Sequence, residues 1–276
     1  MKPGLRDTIP GRAPALGLTL ALVSAVVVVP LGALVLALHG VTAATLAQAV
    51  LSPRALAAFR LTFGAALAAS TIDLFAGLFV AWILVRYRFP GRAGLDALVD
   101  IPFALPPAVT GIALAVLYGA HGAVGGWREG HGLHVAYTQF GIGIALTFVA
   151  FPFVVRTVQE PLAKLPAAFA EAAASLGAGE WSIFARVTLP LLGPALLTAF
   201  TLALARTLGE YGSVIFIAGN IPGRTEIAPL LIVTRLEEYD YTGAAAIAVV
   251  LLAFSFALLL AINGFQRRMT LARTAL

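Results

Sequence analysis

Two ionisable residues of opposite charge stand close together near the end of a long apolar stretch. Arg206 and Glu210 are four residues apart, so they share one face if the stretch is helical. Charge within a membrane is costly and is often functional. Arg206 could offer a positive step to an anion, with Glu210 as its partner. Alternatively, the two form an internal ion pair that fixes the helix position, which is the plainer interpretation.

Asp73 is a lone acidic residue in the middle of another apolar stretch. It could pair with Arg206 or line a gap next to a second subunit, and the sequence does not choose between these alternatives. A proton relay would need more titratable partners than the apolar stretches contain. Asp73, Arg206 and Glu210 are therefore candidate residues of a translocation pathway or of an internal ion pair.

The residue types give little support to catalysis or metal binding. The chain has no cysteine, which removes thiolate ligands and a Cys nucleophile. Its two lysines, Lys2 and Lys164, do not belong to a Gly-x-x-x-x-Gly-Lys P-loop, and the His-Glu-x-x-His and Gly-x-Ser-x-Gly patterns of enzymes are missing. His131 and His134 are three residues apart, but nearby glycines argue against a rigid metal site. We expect no catalytic residue, no bound cofactor and no metal in this chain.

The elements that must position the charges are membrane helices. The 276 residues are 60% hydrophobic and 11% charged, whereas soluble domains are about a quarter charged. The apolar runs are continuous rather than alternating, which favours helices over a closed barrel. The net charge of +5 is explained by basic residues that flank the spans, so we expect lipid contacts and no nucleic acid partner.

Six stretches are apolar and long enough to cross a bilayer, which takes about 20 residues. They lie near residues 15–38, 57–85, 98–120, 138–158, 192–218 and 243–265. Twelve basic residues fall on one side of this topology and five on the other, which predicts that both termini are cytoplasmic. The first run is too long for the apolar region of a signal peptide and is expected to remain as a span, peripheral to the other five.

Prolines predict irregularities in these helices. Pro102, Pro106 and Pro107 should kink or break the third helix, and Pro152 should kink or break the fourth. A broken third helix could line a pathway. No linker divides the chain, so we expect a single membrane domain at residues 57–266. Residues 1–56 form an N-terminal cytoplasmic segment, the first helix and an outer loop, and residues 267–276 form a cytoplasmic tail.

The segment at residues 159–191 is a polar, helix-prone insertion on the cytoplasmic side. Residues 171–176 should be helical, and Gly177 then permits a tight turn. Residues 180–187 are expected to form a second short helix, and Pro190 should mark the return to the membrane. On local chemistry alone, a solvated alanine-rich loop is a better explanation than a protein-docking element.

The spacing within this segment resembles the EAA motif of ABC importer permeases. Glu171-Ala172-Ala173 is followed after three residues by Gly177, and after nine more by Val187-Thr188-Leu189-Pro190. Valine in place of isoleucine is the one departure from the family pattern. The resemblance implies an all-α polytopic protein with six transmembrane helices, of the type I ABC importer kind, with short cytoplasmic coupling helices. It also implies that Glu171, Ala172, Ala173, Leu176 and Gly177 dock on a separate ATPase subunit, which binds ATP and Mg.

A second stretch, residues 207–243, is similar to the T-type permease of bacterial sulfate and thiosulfate importers. The similarity rests on Gly209-Glu210-Tyr211-Gly212, Ala218-Gly219-Asn220, Thr225-Glu226-Ile227 and Glu238-Tyr239-Asp240-Tyr241. It implies inward transport across the bacterial inner membrane by alternating access. The implied partners are two copies of the ATPase, a W-type permease and a periplasmic sulfate/thiosulfate-binding protein.

Two alternatives remain open from the sequence. A molybdate or tungstate permease would share the Gly-Glu-aromatic-Gly pattern but differ in the loop that follows. An ATP-independent anion channel or carrier would explain the spans and the charges, but would leave the cytoplasmic motif unexplained.

Overall fold

The computed structural model describes residues 12–126 and 134–274, and all regular structure in these ranges is helical. His131, one of the two histidines considered for a metal, lies outside the described residues. The helices, in chain order, are α1 (Arg12–Val23), α2 (Val29–Leu36), α3 (Ala43–Leu51), α4 (Pro53–Arg86), α5 (Arg92–Val99), α6 (Ile101–Ala104), α7 (Pro107–Tyr118), α8 (Gln139–Lys164), α9 (Ala167–Ser175), α10 (Glu180–Ile183), α11 (Leu189–Leu208), α12 (Val214–Ala218), α13 (Ala228–Glu237) and α14 (Tyr241–Thr274).

Five stretches in the described part are long and apolar enough to cross a membrane. They are Pro14–Leu36, Pro53–Arg86, Gln139–Lys164, Glu180–Leu208 and Tyr241–Gln266. The helical fold class predicted from the sequence is confirmed. The first stretch has none of its apolar window buried within the protein, which confirms its expected peripheral position.

The predicted third span at residues 98–120 is not one continuous helix. It is divided between the end of α5, α6 and α7, and the longest piece, α7, has 12 residues. At 1.5 Å per residue α7 is about 18 Å long, which is shorter than the roughly 30 Å of a hydrocarbon core. The break follows from the prolines: Leu105 and Pro106 are extended before Pro107, and Pro102 lies in the first turn of α6.

The predicted boundaries of the fifth span, 192–218, are wrong at both ends. The helix begins at Glu180 and runs to Leu208 through a π-turn at Phe184–Thr188, so residues 180–187 are its first turns rather than a separate short helix. Pro190 does not turn the chain, because the helix continues through it. The π-turn instead passes the Leu189 N–H to the Phe184 carbonyl, just before the proline that has no N–H of its own.

Helix α8 also extends further than the predicted fourth span. It continues through Pro152 without interruption and ends at Lys164, so residues 159–164 of the predicted cytoplasmic segment belong to it. The same arrangement as at Pro190 occurs near Pro30, where the Val29 N–H reaches the Ser24 carbonyl. Pro30, Pro152 and Pro190 are therefore all accommodated within continuous helices.

The centre of the fold is the packing of α4 against α8 and α11. Small side chains allow close approach: a Cβ at Gly77 would lie 2.6 Å from Cγ1 of Val154. One apolar cluster surrounds Ile142 and Leu146, and another surrounds Val154 and Val155. We call the end of this bundle that bears residues 159–191 the coupling end, and the end that bears residues 209–240 the opposite end.

Candidate functional site

The coupling end carries a short helix, α9, whose C-terminus is closed by its own backbone. Gly177 has a φ of +83°, the left-handed conformation that the sequence predicts for this turn. The Ala178 N–H donates to the Ala173 carbonyl at 3.1 Å, and the Gly177 N–H donates to the Ala174 carbonyl at 2.9 Å. These two bonds form a Schellman motif, so the backbone of the turn is satisfied without help from another protein.

The side chains of the same segment are left in the open. Leu176 is 89% exposed, Trp181 is 77% exposed and Phe169 is 52% exposed. We call these three residues the coupling face. Glu171 is also exposed, and its carboxylate contacts no described basic residue. Several exposed apolar side chains within one short segment are typical of a protein–protein contact.

Aromatic contacts connect the coupling face to the membrane helices. Trp181 stacks on Phe184 with 5.5 Å between ring centroids, and Phe184 meets Trp82 of α4 edge to face at 5.1 Å. The guanidinium of Arg86 lies 5.4 Å from the Trp82 ring centroid. Trp181 is therefore connected by ring contacts to α4 and lies on the same continuous helix as Leu208.

An ion-pair network fixes α5 against α8 near the coupling end. Arg156 donates to Asp100 at 2.6 and 2.8 Å and to Asp96 at 2.6 Å. Gln159 donates to Asp96 at 3.1 Å. Hydrogen bonding by Gln159 and the charge of Arg156 lower the pKa of the Asp96 carboxyl below its ordinary value.

At the opposite end, Arg206 and Glu210 meet as their spacing predicts. Arg206 Nη1 donates to Glu210 Oε2. The other oxygen of Glu210 accepts from the Ser213 N–H at 2.9 Å and from its hydroxyl at 2.8 Å. Glu210 is 2% exposed and lies just beyond the end of α11, so it closes the turn that leads into α12.

The glycines around this turn bring α7 into contact with it. A Cβ at Gly212 would lie 2.7 Å from Cβ of Pro107, and a Cβ at Gly111 would lie 2.3 Å from the Ser213 carbonyl oxygen. The broken third helix therefore rests directly on residues 209–213. This contact therefore requires glycine at positions 111 and 212.

Asp73 lies in the packed interior of the bundle and does not pair with Arg206. Its side chain is fully buried, and neither carboxylate oxygen has a hydrogen-bond partner among the described residues. On the same helix, Ser70 lies 3.4 Å from the Thr207 hydroxyl of α11, and Gly77 faces α8. Of the two alternatives for Asp73, the pair with Arg206 does not form.

A second ion pair joins α4 to the loop before α13. Arg54 donates to both oxygens of Glu226, at 2.7 and 2.8 Å, and Glu226 is 2% exposed. The Ala228 N–H donates to the Thr62 hydroxyl at 2.8 Å and fastens the start of α13 to the same helix.

One large cavity of about 1100 Å³ lies along α4 and α8, and we call it the α4–α8 cavity. Its described lining is mostly small or apolar and includes two arginines, Arg60 and Arg224. Asp73, Arg206 and Glu210 are not among the described residues that line it. Its lining includes Gly64, Ala65, Ala68, Gly143, Ile144, Thr147, Phe148, Val99 and Pro102.

Comparison with known families decides what this arrangement is. Residues 73–271 match the family described as the inner membrane component of binding-protein-dependent transport systems. The chain belongs to this family. The resemblance first suggested by residues 171–190 is thereby confirmed, and this permease is a membrane-spanning part of a transport system.

Individual relatives match nearly the whole permease. The sulfate transport system permease protein CysT of Escherichia coli (strain K12) is 46% identical over 263 residues, which is 95% of each chain. The probable sulfate transport system permease protein cysT of Nephroselmis olivacea is 45% identical over 252 residues, which is 91% of this chain and 89% of the relative. The similarity to the T-type permease that residues 207–243 suggest is confirmed by these matches.

Solved structures share the fold of the permease. A bacterial ABC transporter involved in the import of the acidic polysaccharide alginate has a TM-score of 0.76 at 17% identity, covering 94% of this chain and 95% of that one. The MetNI methionine ABC transporter has a TM-score of 0.59 at 21% identity, covering 76% and 93%. At these identities the likeness concerns the fold alone.

Sequence reasoning missed several residues that organise the permease. Asp96 and Asp100 are four residues apart and could have been recognised as one acidic helix face. Arg54 and Glu226 are 172 residues apart, so no local pattern joins them. Arg60 and Arg224 are two of the five basic residues that the sequence places on the outer side, and nothing in the sequence shows that they share a cavity.

Proposed function

We propose that this permease moves sulfate or thiosulfate into the bacterial cytoplasm as the membrane subunit of an ATP-driven importer. The observation that carries the proposal is the 46% identity to sulfate transport permeases over 95% of both chains. The coupling face supports the ATP-driven part, because it is exposed, apolar and closed at its backbone in the manner of a docking element.

Coupling runs through the segment at residues 159–191 to a separate ATPase subunit, present in two copies. In this proposal α9 and Gly177 seat in the ATPase, and Leu176 and Trp181 contribute the apolar contact. ATP and Mg are held by that subunit. When the ATPase dimer closes, the push on Trp181 reaches α4 through Phe184 and Trp82, and the helix from Glu180 to Leu208 moves with it.

The orientation follows from the same argument. The coupling end faces the cytoplasm, both termini are cytoplasmic, and the opposite end faces the periplasm. A W-type permease completes the pathway through the inner membrane, and a periplasmic sulfate/thiosulfate-binding protein delivers the anion to the opposite end. Rocking of the two permeases then exposes the anion alternately to each side.

Uptake into proteoliposomes tests the function. The complete complex, with its ATPase, second permease and binding protein, is reconstituted with ATP on the coupling side, and radiolabelled sulfate uptake is measured with thiosulfate, molybdate or tungstate as competitors. We expect ATP-dependent uptake that thiosulfate inhibits. Uptake that continues without ATP would point to a channel or carrier, and stronger inhibition by molybdate than by thiosulfate would reject the proposed substrate.

A further inference from the structure

Five described arginines lie on the opposite-end half of the permease, and they fall into two groups. Three have carboxylate partners in the same chain: Arg54 pairs with Glu226, Arg206 with Glu210, and Arg235 with Asp240. Arg60 and Arg224 are exposed, and neither forms an ion pair with a described residue.

The two arginines without carboxylate partners both line the α4–α8 cavity. Arg60 lies seven residues into α4, about 10 Å along the helix from Pro53. Arg224 is held beside the start of α8, because Gln139 Nε2 donates to the Arg224 carbonyl at 3.0 Å. One wall of the cavity therefore contributes a cation from a membrane helix, and the loop above it contributes another.

The rest of the lining suits the passage of a small anion. No acidic residue is among the described residues that line the cavity, so no part of this described lining carries a negative charge that would repel an anion or neutralise the arginines. Beyond the arginines, glycines and alanines such as Gly64, Ala68 and Gly143 leave room, and the Thr147 hydroxyl is a polar group further in. A site that holds an anion at exposed cations and continues into uncharged walls can release it again, which transport requires.

We propose that Arg60 and Arg224 bind the tetrahedral oxyanion at the entrance of its pathway, and that the α4–α8 cavity is this permease's half of that pathway. The inference rests on the proposed import of sulfate or thiosulfate. Two guanidinium groups match the charge of a dianion, and each can donate two parallel N–H bonds to its oxygens. Arg206, whose charge is already met by Glu210, is excluded from this role.

The test compares Arg60→Gln, Arg224→Gln and the matching lysine variants in the reconstituted complex. Arg88→Gln is the matched control, because it removes the same charge from an exposed position at the coupling end, away from the cavity. Sulfate uptake and the ATPase activity stimulated by the loaded binding protein are measured on the same preparations. We expect each glutamine variant to lower uptake about tenfold, the scale of one lost charged hydrogen bond. ATPase stimulation should be retained, and the lysine variants should recover part of the uptake.

The outcomes separate this inference from the proposed function. If the unsubstituted complex does not take up sulfate with ATP, the proposed function fails. If it does, but both glutamine variants transport normally or the Arg88→Gln control loses as much, the inference is overturned. A parallel loss of ATPase stimulation and uptake also overturns it, since that result assigns the arginines to docking of the binding protein.

Discussion

The turn at residues 209–213 and the segment at residues 159–191, which we call the coupling segment, both interrupt the apolar helices. They differ in which of their polar and apolar groups are satisfied within the chain. In the turn, the Glu210 carboxylate is buried and every oxygen accepts a bond from its own chain. In the coupling segment, the backbone of Gly177 is satisfied while Leu176 and Trp181 face outwards. A segment whose backbone turn is hydrogen-bonded but whose apolar side chains remain exposed is suited to binding a partner protein.

The difference also separates two kinds of charge. Arg206 is already neutralised inside the chain, whereas Glu171 has no described partner. Intramembrane position alone therefore does not identify the functional charge.

The largest expected effect comes from Glu210→Ala, which removes the buried carboxylate from the turn at residues 209–213. Arg206 and Ser213 would lose their acceptor, and we expect the free energy of unfolding to fall by about 3 kcal/mol, at the lower end for a broken buried pair because Arg206 is partly exposed. Thermal unfolding of the solubilised permease measures it. The double variant Arg206→Met with Glu210→Leu should recover part of the loss. Equal losses in both would show that the ion pair is not what holds the turn.

Leu176→Asp changes the exposed coupling face and should leave the free energy of unfolding of the permease unchanged. Burial of a leucine at an interface is worth about 2 kcal/mol, so we expect binding to the ATPase subunit to weaken by roughly thirtyfold. Titration of the ATPase against the solubilised permease measures the affinity, with Leu176→Met as the conservative control. Unchanged binding by the aspartate variant would remove the coupling face from the interface.

Two glycines in the same loop provide a matched pair for the backbone. Gly177 has a φ of +83° and Gly179 is extended, and a Cβ at either would meet no atom within 4 Å. Gly177→Ala should therefore cost about 1 kcal/mol in local stability, while Gly179→Ala should cost almost nothing. Hydrogen exchange at the end of α9, and coupled ATPase activity, would report the difference. Similar effects of the two alanines would mean that the left-handed turn is not maintained in the working complex.

The smallest effect concerns Asp96, which is already paired with Arg156 near the coupling end. Because the folded pKa of Asp96 is lowered, its contribution to stability is present above the ordinary value of 3.8 and is lost as the pH falls through the lowered pKa. Between neutral pH and about pH 5, the difference in thermal stability between the permease and its Asp96→Asn variant should therefore stay constant. Below that range, thermal stability should decline less steeply in the variant. A steeper decline in the variant would contradict the assigned direction.

Local patterns foretold the features that are settled by a few neighbouring residues. The Gly177 turn and the Arg206–Glu210 contact depend on spacings of one helical turn, and both appear in the structure as expected. The sequence did not predict the continuous helix from Glu180, because a proline at position 190 locally predicts the end of a helix. In the structure a π-turn accommodates Pro190 instead. It could not predict the α4–α8 cavity, since Arg60 and Arg224 line one cavity only when the helices have packed.

The π-turn before Pro190 has a consequence for direction. A π-turn contains one residue more than the same length of α-helix, and one residue corresponds to a rotation of about 100° around the axis. Everything on its N-terminal side, Trp181 included, is turned by that angle relative to the membrane helix that follows. The π-turn that accommodates Pro190 thus sets the direction in which Trp181 points. Deletion of one residue from Phe184–Thr188 would point Trp181 towards a different side of the protein.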